Sequence, residues 1–164
     1  RKLRIQVMRL SKNLTLNECL RSGVAERLGI DNVPDDEWVL ENLRQIAERV
    51  FQPCRDHFGS PLYVSSGYRS PDLNRAIGGS KRSQHVQGRA LDLDADVFGG
   101  FSNAELFHYI KDNLEFDQMV WEFGDGDNPS WVHVSYVHGG PNRKRCLEAY
   151  RDADGKTAYK VIFD

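Results

Sequence analysis

Two histidines and an aspartate carry the clearest chemistry in the chain. His85 and Asp92 lie in Ser83-Gln-His-Val-Gln-Gly-Arg-Ala-Leu-Asp92, and His133 lies in Trp131-Val-His-Val-Ser-Tyr136. Neutral imidazole and carboxylate are donors that zinc accepts, and a catalytic site uses three of them while leaving a fourth position open. His85 falls on a glycine-containing loop. Asp92 falls in the alternating run Ala90-Leu-Asp-Leu-Asp-Ala95, which reads as a strand. Alternation puts Ala90, Asp92 and Asp94 on one face of it, and Leu91, Leu93 and Ala95 on the other. His133 alternates in the same way against Val132, Val134 and Tyr136. A histidine in a strand is also a common hydrogen-bonded core residue, and Asp92 reads equally well as a buried acid held by backbone donors. Spacing alone leaves both readings standing. His57 and His108 fall on helical stretches with no companion ligand, and His138, past a strand end, is the one spare histidine able to approach the triad.

The elements that must position these groups follow from periodicity. Val39, Leu40, Leu43, Ile46, Ala47, Val50, Phe51, Cys54 and Phe58 keep the three-four spacing of a buried helical stripe, with Asp35 and Asp36 before it and Gly59 after it. Pro53 lacks the amide proton a helix interior needs, so a kink or break is expected near Val50. Upstream, Leu10 to Ile30 reads as turn chemistry and a short helix capped by Thr15 or Asn17. Residues 1–36 are thus expected to form an N-terminal arm docked on the body of the same domain, residues 37–164. Pro61 to Ser66 reads as a strand, Gly67 to Pro71 as a turn, and Asp72 to Ile77 as a short helix. Ser102 caps a helix carrying Leu106, Phe107 and Ile110. Asp117 to Phe123 and Trp131 to Tyr136 are strands, and the tail forms a hairpin-like pair about Asp154-Gly155. Helices first and strands after give an α+β domain with a small antiparallel sheet and helices packed on one face.

Composition narrows the rest. The 164 residues fit one domain, with 40% hydrophobic and 28% charged residues. Twenty-two basic and 24 acidic residues leave a net charge of −2, which argues against a nucleic-acid partner; Arg143-Lys-Arg145 is too short a basic run to change that and reads as a solvated loop. Cys19, Cys54 and Cys146 are odd in number and form no C-x-x-C pair, so neither a disulfide framework nor a cysteine zinc site is indicated. No run approaches a membrane span and no signal-peptide core shows in the first thirty residues. A soluble monomer without a membrane partner is expected.

The pattern Ser-x-His-x-x-Gly-x-Ala-x-Asp over 83–92, followed by the Trp-Val-His strand at 131–133 and preceded by Ser65-Ser-Gly-Tyr-Arg-Ser70, resembles the zinc D-Ala-D-Ala carboxypeptidases. That group includes the vancomycin-resistance dipeptidases and phage endolysins that cut L-alanyl-D-glutamate bonds, and shares its fold with hedgehog signalling domains. The resemblance runs from about Val39 to Tyr136. It implies one zinc ion on His85, Asp92 and His133, and peptidase action on peptidoglycan stem peptides or muropeptides, either as a D,D-carboxypeptidase or as an L,D-type endopeptidase. Such an enzyme acts at the bacterial cell wall, and a phage or prophage lysin is one form of it. The resemblance also implies that Arg69 lies in the site, stabilising a carbonyl oxygen or binding a terminal carboxylate; otherwise Arg69 is a surface salt-bridge partner. Ser83 is placed near substrate, or else it only caps the loop.

The pattern departs from several relatives at one position. They keep an acid three residues before the last histidine, where this chain has Ser130. A general base must therefore come from elsewhere. Glu122, closing a strand expected to pair beside that of His133, is the choice, with Asp125 and Asp127 in the connecting loop as competitors. Glu122 can alternatively orient a ligand histidine. The missing acid keeps open a second reading, a catalytically inactive zinc-containing module that binds peptide or cell wall.

Overall fold

Alternating strands with one apolar face must bury that face, and the residues that do so here are Leu91, Leu93, Met119, Trp121, Val132 and Val134. The computed structural model describes residues 7–163. In chain order they form β1 (Arg9–Ser11), β2 (Leu14–Thr15), α1 (Leu16–Leu20), α2 (Gly23–Leu28) and α3 (Glu37–Ile46). A π-helical turn (Ala47–Phe51), α4 (Gln52–Phe58), β3 (Tyr63–Ser66), α5 (Pro71–Ala76), β4 (Ala90–Asp94) and a 3-10 turn (Ala95–Val97) follow. The chain continues through α6 (Asn103–Asn113), β5 (Gln118–Glu122), β6 (Trp131–Ser135), β7 (Arg145–Arg151) and β8 (Thr157–Val161).

The main sheet has six strands in the order β3-β4-β6-β5-β7-β8. It is α+β as expected, but the sheet is mixed rather than antiparallel throughout, because β7 runs parallel to β5. β6 already has β4 and β5 on its two edges. A chain leaving β6 must cross to the free edge of β5, starting from the end at which β5 starts, and so it arrives parallel. β8 then returns antiparallel on β7 through the turn at Gly155, whose φ is 76°.

The long amphipathic segment runs through Pro53 without a break. Gln52 N–H donates to the Ala47 carbonyl, an i→i+5 bond that widens one turn into a π-helix just before the proline. The stripe stays continuous: Val39, Leu43, Ile46, Ala47, Val50, Phe51 and Cys54 are all buried. Each of the larger of these contributes about 1.5–3 kcal/mol on burial. Thr15 with Glu18 and Ser102 with Glu105 make reciprocal capping boxes at α1 and α6, and Asp36 caps α3. Leu10, Leu14, Leu16, Cys19 and Leu20 enter the same core as the sheet and α3. Helices thus cover one face of the sheet. The other face keeps a small apolar cluster of Val120, Leu147 and Ala149, with Phe123 against it.

Candidate metal centre and its groove

The register of the sheet draws the three sequence-identified ligands together. Asp92 pairs with His133 across β4 and β6, and His133 pairs with Val120 across β6 and β5. Directly opposed residues share a face, so Asp92 and His133 project from the side away from the helices. His85 reaches the same point from the loop before β4. Its Nε2 is 3.4 Å from Asp92 Oδ1, and His133 Nδ1 is 3.0 Å from that same oxygen. One ligand atom from each of the three residues lies within 4.8 Å of the other two.

Two glycines explain how His85 gets there. Gly67 packs so closely on α1 that an added Cβ would stand 2.5 Å from the Cys19 carbonyl oxygen. Its own carbonyl faces His85 Nδ1 at 2.7 Å. Nδ1–H therefore donates there, which fixes the tautomer and leaves the Nε2 lone pair directed at Asp92. Gly88, with φ of 72°, passes over α3 where a Cβ would meet the Val39 carbonyl at 2.6 Å. Both close approaches are open only to glycine.

The donor set fits zinc. Two neutral imidazoles and a carboxylate are a common zinc triad, and bonds of about 2.0–2.1 Å in a tetrahedron space the ligand atoms about 3.3 Å apart. The separations of 3.4 and 3.0 Å bracket that spacing. Burial pushes the His85 pKa down, which keeps its lone pair free, and Asp92 offsets this only in part. For Asp92 burial acts to raise the pKa, but the charge and hydrogen bonds of His85 and His133 outweigh it and hold the carboxyl far below the usual range. Both protonation states suit metal binding.

Arg69 stands beside the triad, its Nη2 3.7 Å from Asp92 Oδ2. Its backbone N–H donates to the His85 carbonyl, so the turn after β3 and the ligand loop are tied together. Buried Asn32 holds that turn from the other side, donating to the Tyr68 and Leu20 carbonyls and accepting from Ser70 N–H. Ser83 caps the ligand loop, its Oγ accepting from His85 N–H at 3.3 Å, and the residue also lines the groove. Gln84 donates to Asp117 at the start of β5, anchoring the loop to the sheet.

Glu122 lies in the groove as well. It pairs with Trp131 in β6, two residues along from His133, and so shares the triad's face. Burial raises its pKa to about 7; His133 and Arg69 lower it and Asp92 raises it. Asp125 spends its carboxylate on its own loop, accepting from the Asp127 and Asn128 amides, and neither Asp125 nor Asp127 lines the groove. Ser130 is exposed and donates its N–H to the Glu122 carbonyl at 2.8 Å.

The remaining histidines stay apart. His57 stacks on Tyr109 at 4.0 Å, His108 sits by Trp121 and Phe163, and His138 lies near Glu41. Arg143 is exposed, as are Lys144 and Arg145, in keeping with the expected solvated run, and it also grips Asp117 with two side-chain bonds of 2.9 Å. The groove, about 590 Å³, has further walls that residue patterns did not reveal, among them Arg151, Thr157 and Tyr159 from the last two strands. Their alternation was visible in the sequence, but their face depends on the parallel β5–β7 pairing.

A metal triad, a raised carboxyl and a guanidinium in one open groove of an α+β sheet define a metal-dependent hydrolase. The chain matches the family model for peptidase M15 over residues 12–135, most of its length, and it belongs to that family of zinc metallopeptidases. No curated protein matches it.

Proposed function

We propose that the protein hydrolyses amide bonds in peptidoglycan stem peptides, as a monomer at the bacterial cell wall, with one zinc ion held by His85 Nε2, Asp92 and His133 Nδ1. The observation that carries the reading is the convergence of Glu122 and Arg69 on this triad from two different elements. The motif resemblance to enzymes of stem peptides directs it to that substrate. Zinc bound there supplies Lewis acidity and makes water acidic enough to react near neutral pH.

The chain's own residues do the rest. Glu122, with its carboxyl raised to about 7, takes a proton from the attacking water and returns it to the departing amine nitrogen. Arg69 keeps its positive charge beside Asp92 and offers N–H donors to the carbonyl oxygen as negative charge develops on it. At a chain end the same guanidinium fork binds a terminal carboxylate, so it serves removal of a terminal D-Ala as well as internal cleavage. The Gly67 carbonyl holds the His85 imidazole in a fixed orientation throughout.

The test is Glu122→Gln. Metal analysis should find zinc retained at the wild-type ratio, while mass spectrometry shows muropeptide turnover reduced about 10²-fold or more. A fully active Glu122→Gln protein would end the assignment of the base. A wild-type protein that carries zinc, binds muropeptide and releases no fragment would instead establish the binding module that Ser130 raises.

A further inference from the structure

One wall of the groove has no part in the chemistry above. β7 and β8 lie beyond the matched residues 12–135, yet Leu147, Arg151, Thr157 and Tyr159 line the groove together with the triad. Parallel pairing sets Ala149 beside Glu122, and β8 sets Tyr159 beside Ala149. Two long side chains therefore flank a methyl group. The result is a notch floored by Val120, Leu147 and Ala149, which form an apolar cluster separate from the main core. Burial, with Glu122 and Asp92 nearby, pushes the Tyr159 pKa up, so its hydroxyl remains a hydrogen-bond donor.

Arg151 closes the far end. Its Nη1 donates to Thr157 Oγ1 at 2.7 Å, and its guanidinium lies 4.7 Å from the centre of the Phe123 ring. Those partners orient the fork without neutralising it, since neither is a carboxylate. The opposite face of the same hairpin is different: Lys160 pairs with Glu148 at 2.9 Å. Among the described residues, then, no carboxylate pairs with the cation on the groove side, while the one on the back is paired.

We propose that the β7–β8 hairpin selects the substrate, with Arg151 binding a carboxylate of the peptide displaced from the scissile bond and Tyr159 hydrogen-bonding the peptide across the Ala149 notch. The assignment rests on the groove being a peptide site, as proposed above, and adds to it the acidic character of the peptide. Arg151 and Tyr159 are specificity residues here, while proton transfer stays with Glu122.

The test uses a soluble muropeptide whose C-terminal carboxylate is blocked as a carboxamide, leaving Arg69 no carboxylate to bind, with its other carboxylates either free or likewise converted. Kd is measured by calorimetry on the zinc-loaded Glu122→Gln protein, and KM on the zinc-loaded wild type. The acid form should bind about tenfold more tightly than the amide form, the gain expected of a charge-assisted contact. Arg151→Gln should bring that ratio to about one, and Tyr159→Phe should weaken both forms about equally. Lys160→Gln, which removes the same charge from the back of the hairpin, should keep the wild-type ratio. A ratio unmoved by Arg151→Gln, or lowered as much by Lys160→Gln, overturns the proposal, as does failure of either form to bind. Discriminating binding with no cleavage by wild type would leave the hairpin's role intact and remove the peptidase reading alone.

Discussion

Glu122 is held in a place that costs stability and gives chemistry. Its carboxyl belongs near 4.5 in an open chain and is raised to about 7 in the folded protein, chiefly by burial. A folded-state value above the unfolded one means the fold prefers the protonated acid. Below 4.5 the group is neutral in both states and costs nothing; stability is lost from there up to about 7, and the full cost is present above it. Partial exposure screens the effect, leaving about 1–2 kcal/mol. In the metal-free protein, Glu122→Gln should therefore stabilise by about that amount near pH 8 and by almost nothing near pH 4. Urea denaturation at the two pH values reads it, and equal midpoints for both proteins near pH 8 would refute the burial cost. Period-two alternation put Asp92 and His133 on polar faces of apolar strands but left them equally readable as core residues, and it was the motif resemblance that joined them with His85 as a candidate metal triad. What alternation could not show was that both faces meet the same loop. The Gly67 carbonyl aimed at His85 Nδ1 depends on the packing of Gly67 against Cys19 of α1, far earlier in the chain, and no local pattern encodes it.

Among the elements, the helical stripe, β4 to β6 and the β7–β8 hairpin were readable from the sequence, and the π-helical turn and the parallel seat of β7 on β5 were not. Pro53 signalled a defect in α-helical bonding, but a widened turn and a broken helix answer that defect equally well until the core fixes the direction of α4. The hairpin turn at Asp154-Gly155 indicated β8 as one partner of β7, and nothing indicated β5 as the other. What seats it is Asp117, just before β5, which is buried and takes Arg143 N–H at 3.1 Å in addition to the two guanidinium bonds. Burial acts to raise the Asp117 pKa, and these bonds together with Gln84 outweigh it, so the folded carboxyl titrates below its usual value. The sign is the ordinary one for an acid: stability is present above the unfolded pKa and lost as pH falls through the folded one. Arg143→Ala should cost about 1–3 kcal/mol near pH 7, since it leaves a buried carboxylate short of donors, and much less near pH 2. Chemical denaturation of the variant at both pH values checks the difference. A cost that persists undiminished in acid would mean that Arg143 acts by packing alone.

At the scale of the whole molecule, the centre of the sheet holds the proposed metal ligands in a frame of protein contacts. The Asp92–His133 register is one rung of a β4–β6 ladder whose flanking rungs on either side, Leu91–Val134 and Leu93–Val132, are buried in the main core. His85 is fixed by a backbone carbonyl, and its loop by Gln84 on Asp117 and by Asn42 on the Gln87 carbonyl. None of these restraints needs a cation. Zinc therefore adds stability by mass action on a preformed site and does not fold the chain, in contrast to small zinc domains that unfold without metal. At about a thousandfold excess over its Kd the gain is about 4 kcal/mol. For a domain of this size that corresponds to a melting temperature about 10 °C higher. Chelation should lower the melting temperature by about that much while leaving the far-ultraviolet circular dichroism at 25 °C unchanged. His133→Ala should melt at the same temperature with and without added zinc. Loss of secondary structure on chelation would show that the ion, and not the β4–β6 ladder, holds Asp92 and His133 in register.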